Sequence, residues 1–284
     1  MPSLASMSQD TMHSQNAALS GGRLKQPHLA SDHGIATSGI QLPQALPSLL
    51  ARGLTPQDML RVNAARPTFV TLEPGQSLYY QGDDCNNIYL LLDGWAFRHQ
   101  ILEDGRRQIL DFALPGVVFG LPGTGIMTHS LETLTGCTFS VFTRERLFDL
   151  MRDVPALGFR LLEIMAAAEA RAFEHLTSVG RRTAKERVAH LLLELVTRAS
   201  QTPAMPRDGS MTLPLMLPHI ADALGLTSET VCRALSSMRK DKIATLRGQK
   251  LDILDLKRLA HAAGVDLMAD FRHGTNGETL RLAS

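Results

Sequence analysis

Ser228, Glu229, Cys232 and Arg233 recur at intervals that put all four on one face of a helix, while Val231, Leu235 and Met238 fall on another. Glu229 carries a carboxylate that can accept from an exocyclic amine. Arg233 carries a planar fork of donors that matches paired acceptors such as guanine O6 and N7. A helix with polar, unpaired groups in its first turn and an apolar face behind them suits a DNA major groove. A plain helical hairpin with a solvated polar face has the same pattern, so the surroundings must decide between the two.

The elements that would hold these side chains run from Leu217 to Asp241. A first helix starts at Pro218, which tolerates the missing N–H there, and buries Ile220, Ala221 and Leu224. Gly225 supplies a sharp turn, Leu226 plugs the corner, and Thr227 is placed to cap the second helix. Lys185–Ala199 precedes them as an amphipathic helix, and residues 200–210, with three turn formers, read as a loop. Met211–Leu215 reads as a short strand. Ile243–Leu246 and Leu251–Leu254, joined through Arg247-Gly248-Gln249-Lys250, read as a two-stranded wing, and Leu256–Ala263 as a closing helix.

Upstream, apolar residues recur every three or four positions from Pro155 to Gly180, as in one long helix. Leu157, Leu161, Ile164, Ala168, Ala172, Leu176 and Val179 form one stripe, and Phe159, Leu162, Met165 and Phe173 a second. One stripe can pack on its own domain while the other meets a partner helix, or both can cover one core. From Arg66 to Arg144 the chain breaks into short β-rich runs separated by glycine turns, among them Asp93-Gly94 and Asp104-Gly105, which predicts a sandwich or roll. Residues 1–40 and the tail from about 265 lack a sustained period and read as disordered.

The 284 residues carry a net charge of only +1, but it is unevenly placed. Residues 1–180 hold 13 Lys and Arg against 17 Asp and Glu, whereas residues 181–284 hold 16 against 11. The basic half is the half with the helix pair, as attraction to phosphates requires. Cys85, Cys137 and Cys232 are scattered, with no CxxC, which leaves too few ligands for a zinc site and suits a reducing cytoplasm. No apolar run is long enough to span a bilayer and no signal-peptide pattern opens the chain, so a cytoplasmic location without membrane partners is expected. Enzyme readings find little support. A cupin-like metal site needs a His-x-His, yet residues 66–144 hold only His99 and His129, and no GxSxG occurs.

Taken in order, the motifs LEPGQSLYYQGD (72–83), IYLLLDGWAFRHQ (88–100), LEDGRRQILDFALPGVVFG (102–120) and IADALGLTSETVCRALSSMRKDKI (220–243) resemble the family of the cyclic-AMP receptor protein and the fumarate–nitrate reductase regulator. The resemblance implies an α+β chain. A β-roll (double-stranded β-helix or jelly-roll) sensor spans 41–153, a dimerisation helix 154–180, and a winged helix-turn-helix 181–264, with a leader over 1–40 and a tail over 265–284. It implies a homodimer that binds double-stranded DNA and RNA polymerase as a transcription regulator, in the activator sense. By the same resemblance the seven-residue stripe from Leu157 to Val179 meets the partner helix.

The family signature E-x-x-[SG]-R matches Glu229 to Arg233, with Cys232 in place of Ser or Gly. The match implies base contacts from Ser228, Glu229, Cys232 and Arg233. Ser228 stands where the cyclic-AMP receptor type has Arg, which points to a TTGA-type inverted repeat, as in FixK-like branches. Thr227, Lys240, Lys242, Arg247 and Lys250 are assigned to phosphates. Leu121 and His129-Ser130 replace the Glu and the Arg-led pair that hold a cyclic phosphate, so cyclic AMP is not expected. The iron–sulfur cysteines are absent too. Three sensing modes remain: no ligand and no cofactor; haem or nitric oxide at His99 or His129; or thiol redox at Cys232, where oxidation would add bulk and charge against DNA. A DNA-binding architectural protein without a regulatory role is the competing class.

Overall fold

The computed structural model describes residues 48–65, 67–121, 125–200 and 210–265. The expected leader, most of the 200–210 loop and nearly all of the tail lie outside the described residues.

Two short helices, α1 (Ser48–Ala51) and α2 (Pro56–Ala64), precede the strands. Thr55 and Asp58 close a reciprocal capping box at the start of α2, and Pro56 occupies its first turn. Eight strands follow among the described residues: β1 (Thr68–Leu72), β2 (Ser77–Tyr79), β3 (Asn87–Asp93), β4 (Ala96–Ile101), β5 (Arg107–Ala113), β6 (Val118–Phe119), β7 (Ser130–Thr133) and β8 (Cys137–Thr143). They form two antiparallel sheets, ordered β1-β8-β3-β6 and β2-β7-β4-β5. Leu72, Leu78, Leu91, Phe119, Leu131 and Phe139 are buried in one cluster within the roll. Gly120 shows why glycine punctuates the roll. Its φ is +86°, and a Cβ there would lie 2.2 Å from the Asn87 carbonyl oxygen.

The chain then turns helical through α3 (Arg144–Asp153) into the long α4 (Pro155–Arg181). The two stripes of α4 part company, which corrects one expectation. Leu157, Leu161 and Ile164 are buried in their own chain, packed in a cluster with Leu50, Ile88, Leu90 and Leu147. They are therefore unavailable to a partner helix. Ala168 and Val179 are half-buried, while Ala172 and Leu176 are exposed. The apolar side chains left uncovered are Phe159, Leu162, Met165, Phe173 and Leu176, each between 48 and 70 % exposed. The physical reason is geometric: a 27-residue helix lying along a roll covers one side with the roll, and its N-terminal half is where the roll is.

Helix α5 (Ala184–Ser200) carries Val188, Leu192 and Leu195 into the core of the C-terminal half. There follow β9 (Ser210–Thr212), α6 (Leu217–Leu224), α7 (Ser228–Lys240), β10 (Ala244–Arg247), β11 (Lys250–Ile253) and α8 (Leu256–Ala262). The wing has three strands rather than two, ordered β10-β11-β9, because Met211 pairs with Leu251. This half is not separate from the roll: Phe97, Ile109, Phe112 and Leu114 share one buried cluster with Leu192, Ile220, Leu224 and Met238.

Candidate nucleic-acid interface

Gly225 ends α6 in the left-handed region, with φ 61° and ψ 40°, and its N–H closes onto the Ala221 carbonyl. Arg187 of α5 donates 3.1 Å to the carbonyl of Leu224, placing a cation at a helix C-terminus where unpaired carbonyls gather. The chain re-enters a helix three residues after the turn. Thr227 accepts a 3.2 Å hydrogen bond from the Thr230 N–H and shares a 2.9 Å contact with the Thr230 hydroxyl. Its hydroxyl is thus committed to the cap.

Helix α7 buries Val231, Ala234 and Met238 and turns Ser228, Glu229, Cys232 and Arg233 outward. The side chains of Glu229 and Arg233 are 79 % and 71 % exposed and stand 3.7 Å apart as an i,i+4 pair. At that exposure an ion pair is weak, so both groups are free to exchange it for other partners. Cys232 is an exposed free thiol, while Cys85 and Cys137 are buried and donate to carbonyls, Gly120 at 3.1 Å and Trp95 at 3.2 Å respectively. Burial pushes the Cys137 thiol up to about 11, which keeps it protonated and inert.

The far end of α7 is pinned from α5: Lys185 donates 2.6 Å to Asp241, whose carboxylate is held below its ordinary value first by that hydrogen bond and then by the lysine charge. The chain leaves α7 through Lys242, whose φ of 55° is positive for a residue with a side chain, and Ile243 donates back to the Met238 carbonyl at 2.9 Å. Lys240, the last residue of α7, and Lys242 just past it are exposed, and Arg247 and Lys250 are exposed as the register partners flanking the wing turn. The four side chains expected to meet bases share one face. The four basic residues expected to meet phosphates lie at the helix end and on the wing.

Sequence reasoning missed the residues that seat this unit on the roll. Arg107 on β5 lies 2.9 Å from Asp222 on α6, and Gln108 donates 3.1 Å to the Ala223 carbonyl. The Phe97 ring lies under the Arg107 guanidinium at 5.2 Å and beside the His219 ring at 5.5 Å. Arg198 on α5 donates to Asp111 at 3.0 Å, to Glu194 at 2.9 Å and to the Phe112 carbonyl at 2.6 Å. Burial alone would raise the Asp111 carboxyl, but Arg198, Arg98 and Arg171 together hold it below its ordinary value. No local motif marks these pairs; partners 115 positions apart carry no spacing signal.

Of the two candidate cofactor histidines, His129 is held at both ring nitrogens, whereas His99 Nδ1 is buried without a hydrogen-bond partner. His129 has Tyr79 Oη 3.1 Å from Nε2 and Thr128 Oγ1 3.1 Å from Nδ1. Burial, then the charge of Arg98, lowers its pKa to about 4. His99 is buried against the Phe97 ring at 5.3 Å. The cavity that His129 helps to line holds about 160 Å³, well under the roughly 300 Å³ and more of pockets for larger organic ligands.

Comparisons with known proteins agree with the architecture. Residues 69–154 match the cyclic nucleotide-binding domain and residues 186–262 the Crp-like helix-turn-helix domain. The chain is 33 % identical to the transcriptional activator protein FnrL of Cereibacter sphaeroides over 197 residues, covering 68 % of this chain and 79 % of that protein. It is 32 % identical to the nitrogen fixation regulation protein FixK of Rhizobium meliloti over 185 residues, covering 65 % and 82 %. The solved structure of FixK2 from Bradyrhizobium japonicum is 30 % identical, with a TM-score of 0.62, over 69 % of this chain and 97 % of that one. With roll, long helix and outward-facing recognition helix in this order, and relatives matched over most of their length, the chain belongs to the CRP/FNR family of DNA-binding transcription regulators.

Proposed function

We propose that two copies of this chain, joined through α4, lay their α7 helices in successive major grooves of a TTGA-type inverted repeat and contact RNA polymerase at the promoter. The chain acts by binding and not by catalysis. The observation that carries the reading is the division of α7. Val231 and Met238 are fully buried, so the helix cannot roll, and that fixes Ser228, Glu229, Cys232 and Arg233 toward solvent. Glu229 then accepts from cytosine N4, and Arg233 forks onto guanine O6 and N7. Lys240, Lys242, Arg247 and Lys250 set register on the phosphates, and Thr227 contributes there through its position at the helix start rather than a spare hydroxyl. The uncovered stripe of Phe159, Leu162, Met165, Phe173 and Leu176 supports self-association along α4. The names of the relatives, a transcriptional activator and a nitrogen fixation regulation protein, support a regulator of transcription in the activator sense.

A gel-shift with purified protein, a TTGA inverted repeat and neither cyclic nucleotide nor haem added tests this reading. Binding to the repeat, and loss of binding when the TGA core is scrambled, is expected; equal affinity for both sequences would sink it.

A second reading concerns control. Cys232 is the one exposed thiol of the three, on the DNA-reading face. Oxidation there would place bulk and negative charge against phosphates, so peroxide is expected to release DNA. Cys232→Ser protein that stays equally sensitive to peroxide would rule this out.

A further inference from the structure

Helix α6 begins without the usual cap. Its N-cap is Met216, whose side chain makes no capping hydrogen bond, and Pro218 occupies the first turn. The Met216 N–H donates instead to Nδ1 of His219, at 3.2 Å, while the Met216 carbonyl accepts from the His219 N–H at 3.0 Å. The imidazole thus does from the third helical position what Glu or Gln does in a capping box. Only the neutral ring can do so, because both nitrogens of an imidazolium are donors.

The same ring holds α6 to the roll. It lies 5.5 Å from the Phe97 ring on β4, and His219, Asp222 and Ala223 share one face of α6. On that face Asp222 accepts from Arg107 at 2.9 Å, and the Ala223 carbonyl accepts from Gln108 at 3.1 Å. The Arg107 guanidinium stands over the Phe97 ring at 5.2 Å. One aromatic ring therefore touches a fixed cation and a group able to become one. The charged and titratable groups around His219 come from four elements. They are Arg107 on β5, Glu132 on β7 at 3.8 Å from Arg107, Asp222 on α6, and His99 on β4, buried 5.3 Å from Phe97. Arg187 of α5 is engaged at the other end of α6, on the Leu224 carbonyl. Both carboxylates already face Arg107, so a protonated His219 gains no carboxylate of its own. It would also set a cation in the first turn of a helix, where the dipole disfavours it. Burial, then the charge of Arg107, holds the His219 pKa below its ordinary value, while Asp222 opposes them.

We propose that His219 is an acid-operated latch: the neutral ring closes the DNA-binding half on the roll, and the protonated ring releases it. Above pH 6.5 the ring is neutral whether α6 is seated or released. Below that pH the released form takes up the proton more readily, so acid favours release. Gly225 joins α6 to α7 by a tight turn, so release also frees the recognition helix from the frame of the roll, and specific DNA binding falls. The fall in DNA binding rests on the base reading proposed above; the latch does not.

The test follows the full chain, without DNA, from pH 7.5 to 5. Trp95, the sole tryptophan, packs half-buried on the apolar cluster that the two halves share, so its fluorescence reads the seam. Far-UV circular dichroism reads the helices. A fluorescence transition with its midpoint below pH 6.5, at nearly constant ellipticity, is expected. His219→Gln keeps an acceptor but cannot take the proton, and should abolish the transition. His219→Lys is charged throughout and should show the released signal already at pH 7.5. Should His219→Lys not fold, His219→Gln carries the test alone. In gel-shifts the parent should lose affinity for the TTGA repeat as pH falls, by at most about tenfold per pH unit for one proton, and His219→Gln should lose less. No transition, a transition that His219→Gln retains, or a seated signal in folded His219→Lys would overturn the latch. Equal pH dependence of DNA affinity in parent and His219→Gln would overturn its coupling to DNA. A parent indifferent to a scrambled core at pH 7.5 would refute base reading and leave the latch standing.

Discussion

The Arg107 guanidinium on β5 is hydrogen-bonded through Nε to the Asp222 carboxylate on α6 at 2.9 Å, and both side chains are only about 30 % exposed. The pair fastens the sensor sheet to the first helix of the helix-turn-helix, and Gln108 and Phe97 back it from the same strands. Removing either partner strands the other in a half-buried setting. Arg107→Ala and Asp222→Ala should each lower unfolding stability by about 1–3 kcal/mol. The double variant should lose less than the two combined, with a coupling of about 1 kcal/mol in a double-mutant cycle. Urea unfolding measures all three; strict additivity would mean the contact does not hold the halves together.

Lys242 sits with φ 55° at the end of α7, where glycine would be unstrained. Lys242→Gly should raise stability by about 1 kcal/mol by relieving the left-handed backbone. The same change should weaken DNA binding on all sequences alike and reduce the salt slope by about one. Thermal unfolding and salt-dependent gel-shifts separate the two effects, and a drop in stability would refute the strain argument.

Acid should destabilise the fold through its buried histidines. In the folded chain burial lowers the pKa of His129 to about 4, and also lowers those of His99, His190 and His219, from an ordinary value of 6.5. Above pH 6.5 these rings are neutral folded or unfolded and contribute nothing to pH dependence. Between pH 6.5 and 4 the unfolded chain binds more protons, so falling pH favours unfolding, by at most about 1.4 kcal/mol per pH unit for each proton. His129→Asn should flatten part of that slope in melting curves taken from pH 7.5 to 5.

The two stripes of α4 predict opposite outcomes for neighbouring substitutions. Leu162→Glu changes an exposed position and should prevent the proposed pairing of two copies in sedimentation experiments while leaving the melting of the monomer nearly unchanged. Leu161→Ala opens a cavity under the roll and should cost about 2–5 kcal/mol of stability. Were Leu162→Glu still to sediment as the parent does, the uncovered stripe would not be the contact.

Much of this was legible in the residues alone. The turn at Gly225, the Thr227 cap and the outward face of α7 follow from local spacing, and local spacing is what helices obey. The glycine-punctuated strands announced a roll. Which α4 stripe faces inward was not legible, because both stripes are apolar and only the position of the roll chooses Leu157, Leu161 and Ile164. Nor was the pairing of the strand read at Met211 into the wing, since Met211 and Leu251 are 40 positions apart and pair only once the helices between them have packed. The seating pairs Arg107–Asp222 and Arg198–Asp111 were equally hidden: each is an ordinary charged residue until the fold supplies its partner.

Base reading by Arg233 is the claim on which the account turns, and Arg233→Ala tests it most directly. Affinity for the TTGA repeat and for repeats altered at each position of the core should be measured side by side at one salt concentration. The account predicts a loss of about 1–3 kcal/mol on the parent site, with discrimination relaxed at a single base pair. A uniform loss on every sequence, or no loss at all, would contradict it.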